Sequence, residues 1–119
     1  MPSTQDYIDA FLPVVKQGIP IICICITTKF SGSMQSALNA KNMLLESYPD
    51  ARIKVIDATV NTVLQGQYVL EAARMQESGA GYEDTINKLE KIKSTGRIFF
   101  TVGNMEYLQH GGRIGKVAN

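Results

Sequence analysis

The alternation of apolar and polar residues along this chain predicts helices separated by short strands. Between residues 4 and 17, apolar side chains recur every three or four positions, as in a helix that buries one face. Ser3 or Thr4 can cap the start of this helix, and Gly18 can end it. Helices are predicted over residues 4–17, 33–48, 62–78, 82–93 and 104–109.

Three apolar segments between these helices are predicted to be strands, at residues 19–26, 52–57 and 97–102. The first segment does not alternate with polar residues, so we expect it to be buried on both faces at the centre of a sheet. Strands joined by helices pair in parallel through right-handed crossovers. The predicted fold class is therefore α/β, with a parallel sheet of about three strands and packed helices in one domain over residues 1–119.

Composition and charge argue against several classes of function. With 12 Lys and Arg against 11 Asp and Glu, the net charge is +1, so no nucleic-acid partner is expected. The longest apolar stretch has eight residues, far fewer than the roughly 20 that cross a bilayer, so no transmembrane segment is expected. The first residues lack the basic and apolar segments of a secretory signal, which indicates a cytoplasmic protein.

The cysteines and the histidine do not form a metal-binding pattern. Cys23 and Cys25 lie two residues apart in an apolar strand, where a disulfide between them would be strained. We expect both to be buried free thiols. Because His110 is the only histidine, we predict neither a metal nor another cofactor.

The loop after the first strand is the first candidate binding site. In open parallel sheets, ligands bind beyond the carboxyl ends of the strands, where the next helix offers N–H groups and a positive dipole end. Hydroxyls and a small glycine suit an anionic group such as a carboxylate or a phosphate. Alternatively, Ser31 or Ser33 is an ordinary helix cap. The candidate residues are Thr27, Thr28, Ser31, Gly32 and Ser33.

A second candidate is the glycine-rich segment near the end of the sequence. Arg113 follows Gly111 and Gly112 and could clamp an anion, although a helix end followed by a solvated basic turn would look the same. Asp57 ends the second strand and could be a base or a hydrogen-bond acceptor for the hydroxyl loop; alternatively, it accepts hydrogen bonds from nearby backbone N–H groups. Because no nucleophile or acid pairs with His110 in the sequence, self-contained catalysis is not expected.

Four segments together resemble one known family. Residues 26–37 read ITTKFSGSMQSA and are similar to the I-S-S-x-L-S-G-T-Y-Q-S-A segment of the DegV family. The family's later motifs follow in order, as VID at residues 55–57, VLEAAR at residues 69–74 and YLQHGGRIGK at residues 107–116. The resemblance covers nearly the whole chain.

The resemblance implies a bacterial fatty-acid-binding protein. In this family an acyl chain lies between two α/β domains, hydroxyls hold its carboxylate, and some members present that carboxylate to a separate fatty acid kinase. Such a member is a carrier and not an enzyme. By motif position, Ser31 corresponds to the head-group serine, Gly32 permits close approach, and Arg113 matches an arginine of the head-group end or the kinase contact.

The chain also departs from the family's pattern. It retains only Pro2 and Ser3 of a T-S-Q-P-S stretch whose threonine supplies a head-group hydroxyl, and it lacks the family's first strand and carboxy-terminal portion. We therefore expect a partial DegV-type domain, an internal fragment of a longer two-domain protein. Three single residues also differ from the family's pattern. Ser33 stands where the family usually has Thr, Met34 where it usually has an aromatic residue, and Ala58 where it often has Ser.

Two other classes of function remain open from the sequence. One is an enzyme that acts on a small anionic metabolite, which is disfavoured because Asp57 has no neighbouring carboxylates to bind magnesium. The other is a pure interaction domain. Apolar surface left uncovered on a partial domain also predicts homo-oligomers.

Overall fold

The computed structural model describes residues 1–114, which form helices packed around a parallel two-stranded sheet. The elements in chain order are α1 (Thr4–Lys16), β1 (Ile21–Cys25), α2 (Ser33–Ser47), β2 (Ile53–Asp57), α3 (Thr62–Glu77), α4 (Tyr82–Ile92) and α5 (Glu106–His110). The predicted α/β class, the five helices and the parallel pairing of the first two strands are confirmed.

The two strands run in parallel, with Ile21 opposite Ile53 and Cys25 opposite Asp57. Because side chains alternate between the two faces of a strand, each face of the sheet supports a separate core. On one face α1 and α2 cover a core that includes Cys25, Val55 and Leu44. The opposite core is built from Ile56, Ala58, Tyr68 and Leu89, which come from β2, α3 and α4. The result is a sheet between two helical layers.

Local sequence signals fix the ends of α1. Ser3 and Asp6 form a capping box: the Asp6 N–H donates to Ser3 Oγ at 3.2 Å, and the Ser3 N–H donates to the Asp6 carboxylate at 2.7 Å. After the helix, Gly18 adopts a φ of 70°, which a residue with a side chain rarely does. Both ends of α1 are therefore as predicted.

The prediction of a third strand at residues 97–102 is wrong. This segment follows α4 without regular structure, and Phe99 and Phe100 are 92% and 68% exposed. A strand needs a neighbouring strand edge, and within residues 1–114 the segment does not pair with β1 or β2. An apolar, β-branched composition favours a strand conformation but does not provide a neighbouring strand to pair with.

The expected burial of the first strand on both faces is also wrong. In β1 only Cys25 is buried, whereas Ile53, Val55 and Ile56 are buried in β2. Among the described residues β1 pairs with β2 along one edge only, so its other edge is incompletely covered. No helix in the described part of the chain is long and apolar enough to cross a membrane.

The fold brings four element ends together at one edge of the sheet. Because β1 and β2 are parallel, their carboxyl ends lie side by side, and α2 and α3 begin in the loops that follow. The loops are tied together by Ala58 N–H donating to Cys25 O at 2.9 Å and Thr27 N–H donating to Val60 O at 2.9 Å. A site at this edge therefore receives residues from both loops and both helix starts.

Candidate functional site

A cleft of about 480 Å³ lies at the carboxyl end of β1, beside the start of α2. We call it the serine cleft, after Ser31 and Ser33, which both line it. Apolar residues, among them Ile24 and Phe30, form part of its wall. Its polar lining residues are Tyr7, Cys25, Ser31, Ser33, Gln65 and Arg113.

The two serines form a linked pair at the start of α2. Their Oγ atoms lie 2.7 Å apart, and the Ser33 N–H donates to Ser31 Oγ at 3.1 Å. The cap residue of α2 is Gly32, and no side chain makes the capping bond there. Because Ser31 Oγ accepts a free N–H in the first turn of α2, helix capping by Ser31 stays an alternative to ligand binding. Ser33 is only 8% exposed, and it lines the cleft.

The two threonines of the loop stabilise its shape and do not line the serine cleft. Thr28 Oγ1 donates to Asp57 Oδ2 at 2.9 Å, and the Thr59 N–H donates to Asp57 Oδ1 at 2.7 Å. Both hydrogen-bonding roles predicted for Asp57 are thus present. Thr27 is buried, and its Oγ1 accepts the Lys29 N–H at 3.3 Å.

Arg113 reaches the serine cleft from the other end of the chain. Its backbone N–H donates to Leu108 O at 3.0 Å, and its Nη1 donates to Gly111 O, so the turn after α5 holds both its backbone and its side chain. The sequence predicted Arg113 as a site residue, and the structure brings it to the same cleft as the serines. Gly115 and Lys116 of the same motif lie outside the described residues.

Tyr7 and Cys25 also line the cleft, although the sequence did not single them out as site residues. Tyr7 Oη lies 3.9 Å from Cys25 Sγ, which lies 3.8 Å from Cys23 Sγ. The hydrogen bond from Cys23 lowers the pKa of Cys25 to about 7 against the opposing effect of burial, and the pKa of Cys23 is raised. Burial, followed by the charge of Cys25, raises the pKa of Tyr7 to about 12. Both cysteines are free, as predicted, but the prediction that both are buried holds only for Cys25, since Cys23 is partly exposed.

Gln65 is the third polar lining residue that the sequence did not single out as a site residue. It lies in the first turn of α3, and its Nε2 donates to Ile24 O at 3.2 Å. The sequence held one clue to Gln65: it is a polar residue in the first turn of the helix after β2. The carboxyl edge of the sheet, where that helix begins, was already predicted to hold the site. The contact spans 41 residues of sequence, which no local pattern reveals.

The chemistry of the serine cleft suits an anion. Hydroxyl, amide and guanidinium groups donate hydrogen bonds, and the described residues that line the cleft include no Asp or Glu. Gly32 lies between the two serines without lining the cleft, and a side chain there would approach Met1 Sδ to 3.3 Å. Across residues 1–114, no group of three or more His, Cys, Asp or Glu is placed to hold a metal ion.

Comparison with known proteins identifies the family. The family model for DegV proteins matches residues 1–119. The chain belongs to the DegV family. A DegV domain-containing protein of Clostridium perfringens is 37% identical over 123 residues, which cover 99% of this chain and 42% of the relative.

Two solved structures share this fold. A stearic acid-binding protein from Eubacterium ventriosum superposes with a TM-score of 0.92 at 50% identity, over 100% of this chain and 41% of that one. The Streptococcus pneumoniae Fatty Acid Kinase (Fak) B3 protein, solved with linoleic acid, gives a TM-score of 0.69 at 31% identity, over 78% of this chain and 32% of its own. This chain thus spans about two fifths of the length of the relatives that it matches.

Proposed function

We propose that this DegV chain supplies the carboxylate-binding part of a fatty-acid site. The observation that carries the proposal is that Ser31, Ser33 and Arg113, from opposite ends of the sequence, line one cleft of about 480 Å³. The ligand carboxylate would accept hydrogen bonds from the guanidinium and from one serine hydroxyl, because the hydrogen bond between the two serines uses the other hydroxyl hydrogen. The 50% identity to a stearic acid-binding protein supports this choice of anion.

The walls of the serine cleft favour an acyl chain over a small anion. Ile24, Ile26 and Phe30 line it beside the hydroxyls, so the first methylene groups of a fatty acid would contact apolar surface. Each buried methylene group contributes about 0.8 kcal/mol. Thr27, Thr28 and Gly32 would act indirectly in this proposal. Thr28 holds the serine loop through Asp57 and Thr27 holds it through the Lys29 N–H, whereas Gly32 keeps space beside it.

The proposed role is that of a carrier and not of an enzyme, with the fatty acid as its ligand and no cofactor. The likeness to a protein named for fatty acid kinase supports presentation of the bound carboxylate to such a kinase. Arg113 is exposed and lines the cleft, which suits a contact with the kinase. The cytoplasmic location and the absence of a nucleic-acid partner stay predictions from the sequence.

Two measurements on the purified protein test the proposal. Mass spectrometry of extracted lipid should find a long-chain fatty acid. Titration with octanoate should shift the backbone amide resonances of Ser31 and Ser33, whereas acetate, which has the same carboxylate without the chain, should bind far more weakly. Unmoved Ser31 and Ser33 resonances in octanoate would refute the proposal, whatever lipid is extracted.

A further inference from the structure

Gln65 is anchored at the serine cleft by a bond to the sheet itself. Its Nε2 donates to Ile24 O at 3.2 Å in a part-buried position, and both residues line the cleft. Alternate residues of a strand direct their backbone groups to opposite edges, and β1 uses Ile21 N–H and Cys25 O toward β2 and the loop after it. Ile24 O therefore faces the other edge of β1, where Gln65 satisfies it.

The hydrogen bond to Ile24 O determines the orientation of the Gln65 side-chain amide. A carbonyl oxygen can only accept, and the Gln65 amide donates through its nitrogen alone, so the atom next to Ile24 O is Nε2 and not Oε1. The amide nitrogen carries two hydrogens, and Ile24 O uses one. The second amide N–H of Gln65 is therefore a donor beside the cleft that Ser31 and Ser33 also line.

We propose that the second amide hydrogen of Gln65 donates to the carboxylate of the bound acid and makes the serine cleft selective for acids over alcohols of the same length. The inference rests on the proposed fatty-acid function and adds a donor from α3 to those of the serine loop. A carboxylate has lone pairs for all of these donors. An alcohol has a single oxygen, and it brings no negative charge to the guanidinium of Arg113.

The test compares octanoate with 1-octanol as ligands of the purified protein. Gln65→Met keeps the length of the side chain and removes the amide without adding a charge. We expect it to weaken octanoate binding by about tenfold and 1-octanol binding by less than about twofold, because a hydrogen bond to a charged group contributes the difference. Gln65→Glu replaces the donor by a carboxylate and should weaken octanoate binding further.

Gln67→Glu is the matched control, because it adds the same charge to an exposed position of α3 that does not line the cleft. It should change neither affinity by more than about twofold. Unchanged octanoate binding in Gln65→Met, or equal losses for octanoate and 1-octanol, would overturn the role of Gln65. Failure of the unaltered protein to bind octanoate would instead overturn the proposed function.

Discussion

At the scale of single residues, the serine cleft is defined by donors that come from distant parts of the sequence. Ser31 and Ser33 are held 2.7 Å apart by their own hydrogen bond, and Arg113 is held by the turn after α5. A donor set that is fixed before the ligand arrives loses little conformational entropy on binding. The individual side chains can therefore be tested one at a time against ligand affinity and stability.

Replacing Ser31 by Ala should weaken fatty-acid binding much more than it lowers stability. A hydrogen bond to a carboxylate contributes roughly 1.5 to 3 kcal/mol, which corresponds to about 10- to 150-fold in affinity. Calorimetric titration with octanoate and thermal unfolding measure the two effects. Ser47→Ala, which removes an exposed hydroxyl at the far end of α2, is the control. A lower melting temperature at unchanged affinity would contradict the role of Ser31 in binding.

Affinity for the carboxylate should fall as the pH rises through the pKa of Cys25. Cys25 faces Tyr7 from α1, Cys23 on its own strand and Asp57 from β2, and it shares the cleft with Arg113. Its pKa of about 7 lies below the ordinary thiol value, so the thiolate forms near neutral pH and repels the ligand. Octanoate binding should weaken about three- to tenfold between about pH 6 and about pH 8.5.

Cys25→Ser removes this titration and keeps a hydroxyl beside Tyr7. Its affinity for octanoate should be nearly constant over the same pH range. An equal pH dependence in the variant and in the unaltered protein would show that another group titrates.

The sequence predicted part of this site because part of its signal is local. Ser31 and Ser33 belong to one recognisable motif at the end of a strand, and Arg113 belongs to another. Tyr7, Cys25 and Gln65 carry no such motif. They reach the cleft through α1, the carboxyl end of β1 and the first turn of α3, and only the packed arrangement of these elements shows that they face the same space.

At the scale of elements, two helix starts and two strand ends meet beside the serine cleft. The amino-terminal end of a helix carries a partial positive charge, which favours an anion by about 0.3 to 1 kcal/mol near the surface. Residues 33 and 65, in the first turns of α2 and α3, both line the cleft. The amino-terminal ends of α2 and α3 therefore favour an anion in the cleft in addition to the hydrogen-bond donors of the side chains.

The start of α3 depends on close contact with the segment after α4. A Cβ on Gly96 would lie 2.5 Å from Leu64 Cδ2, so Gly96→Ala must displace the leucine. We expect this change to lower the free energy of unfolding by about 1 to 3 kcal/mol in a denaturant titration. Gly103→Ala, which meets no atom within 4 Å, is the control for the same substitution.

At Gly66, which also lies on α3, we expect an alanine substitution to have the opposite effect on stability. A Cβ there meets nothing within 4 Å, and the residue lies inside α3 with an ordinary backbone conformation. Gly66→Ala should raise the free energy of unfolding by about 0.5 to 1 kcal/mol, because alanine loses less backbone entropy in a helix. Destabilisation by Gly66→Ala, or no effect of Gly96→Ala, would contradict this account of the contact.

The elements that the sequence predicted well are those whose signals lie within them. Ser3 and Gly18 mark the ends of α1, and its apolar spacing marks the buried face that carries Phe11 and Val15. The segment at residues 97–102 has an equally strong strand composition, but strand pairing is a property of two segments. Within residues 1–114 it does not pair with β1 or β2, so local propensity gave the wrong answer there.

At the scale of the whole molecule, large apolar side chains remain exposed on the part of the chain that the structure describes. Phe99, Phe100 and Val102 are 92%, 68% and 43% exposed and follow one another along a single segment. Clustered apolar exposure of this kind marks a surface that associates, whereas scattered single residues do not. The same segment lies near the Gly96 contact that supports α3.

We predict that the 119-residue chain forms dimers or larger species through this segment. Transfer of a phenylalanine side chain from water to an interface contributes about 1.5 to 3 kcal/mol. Phe99→Ser should therefore raise the dissociation constant for self-association at least about tenfold. Sedimentation velocity over a range of protein concentrations measures both the state and the shift.

Met43→Ser is the control for this prediction, because Met43 is also exposed, at 54%, but lies on α2 away from residues 99–102. Its effect on self-association should be small. A monomer at every protein concentration would contradict the prediction of self-association. Equal weakening by Met43→Ser and Phe99→Ser would show instead that association is nonspecific, since the loss would follow apolar exposure in general and not the clustered segment.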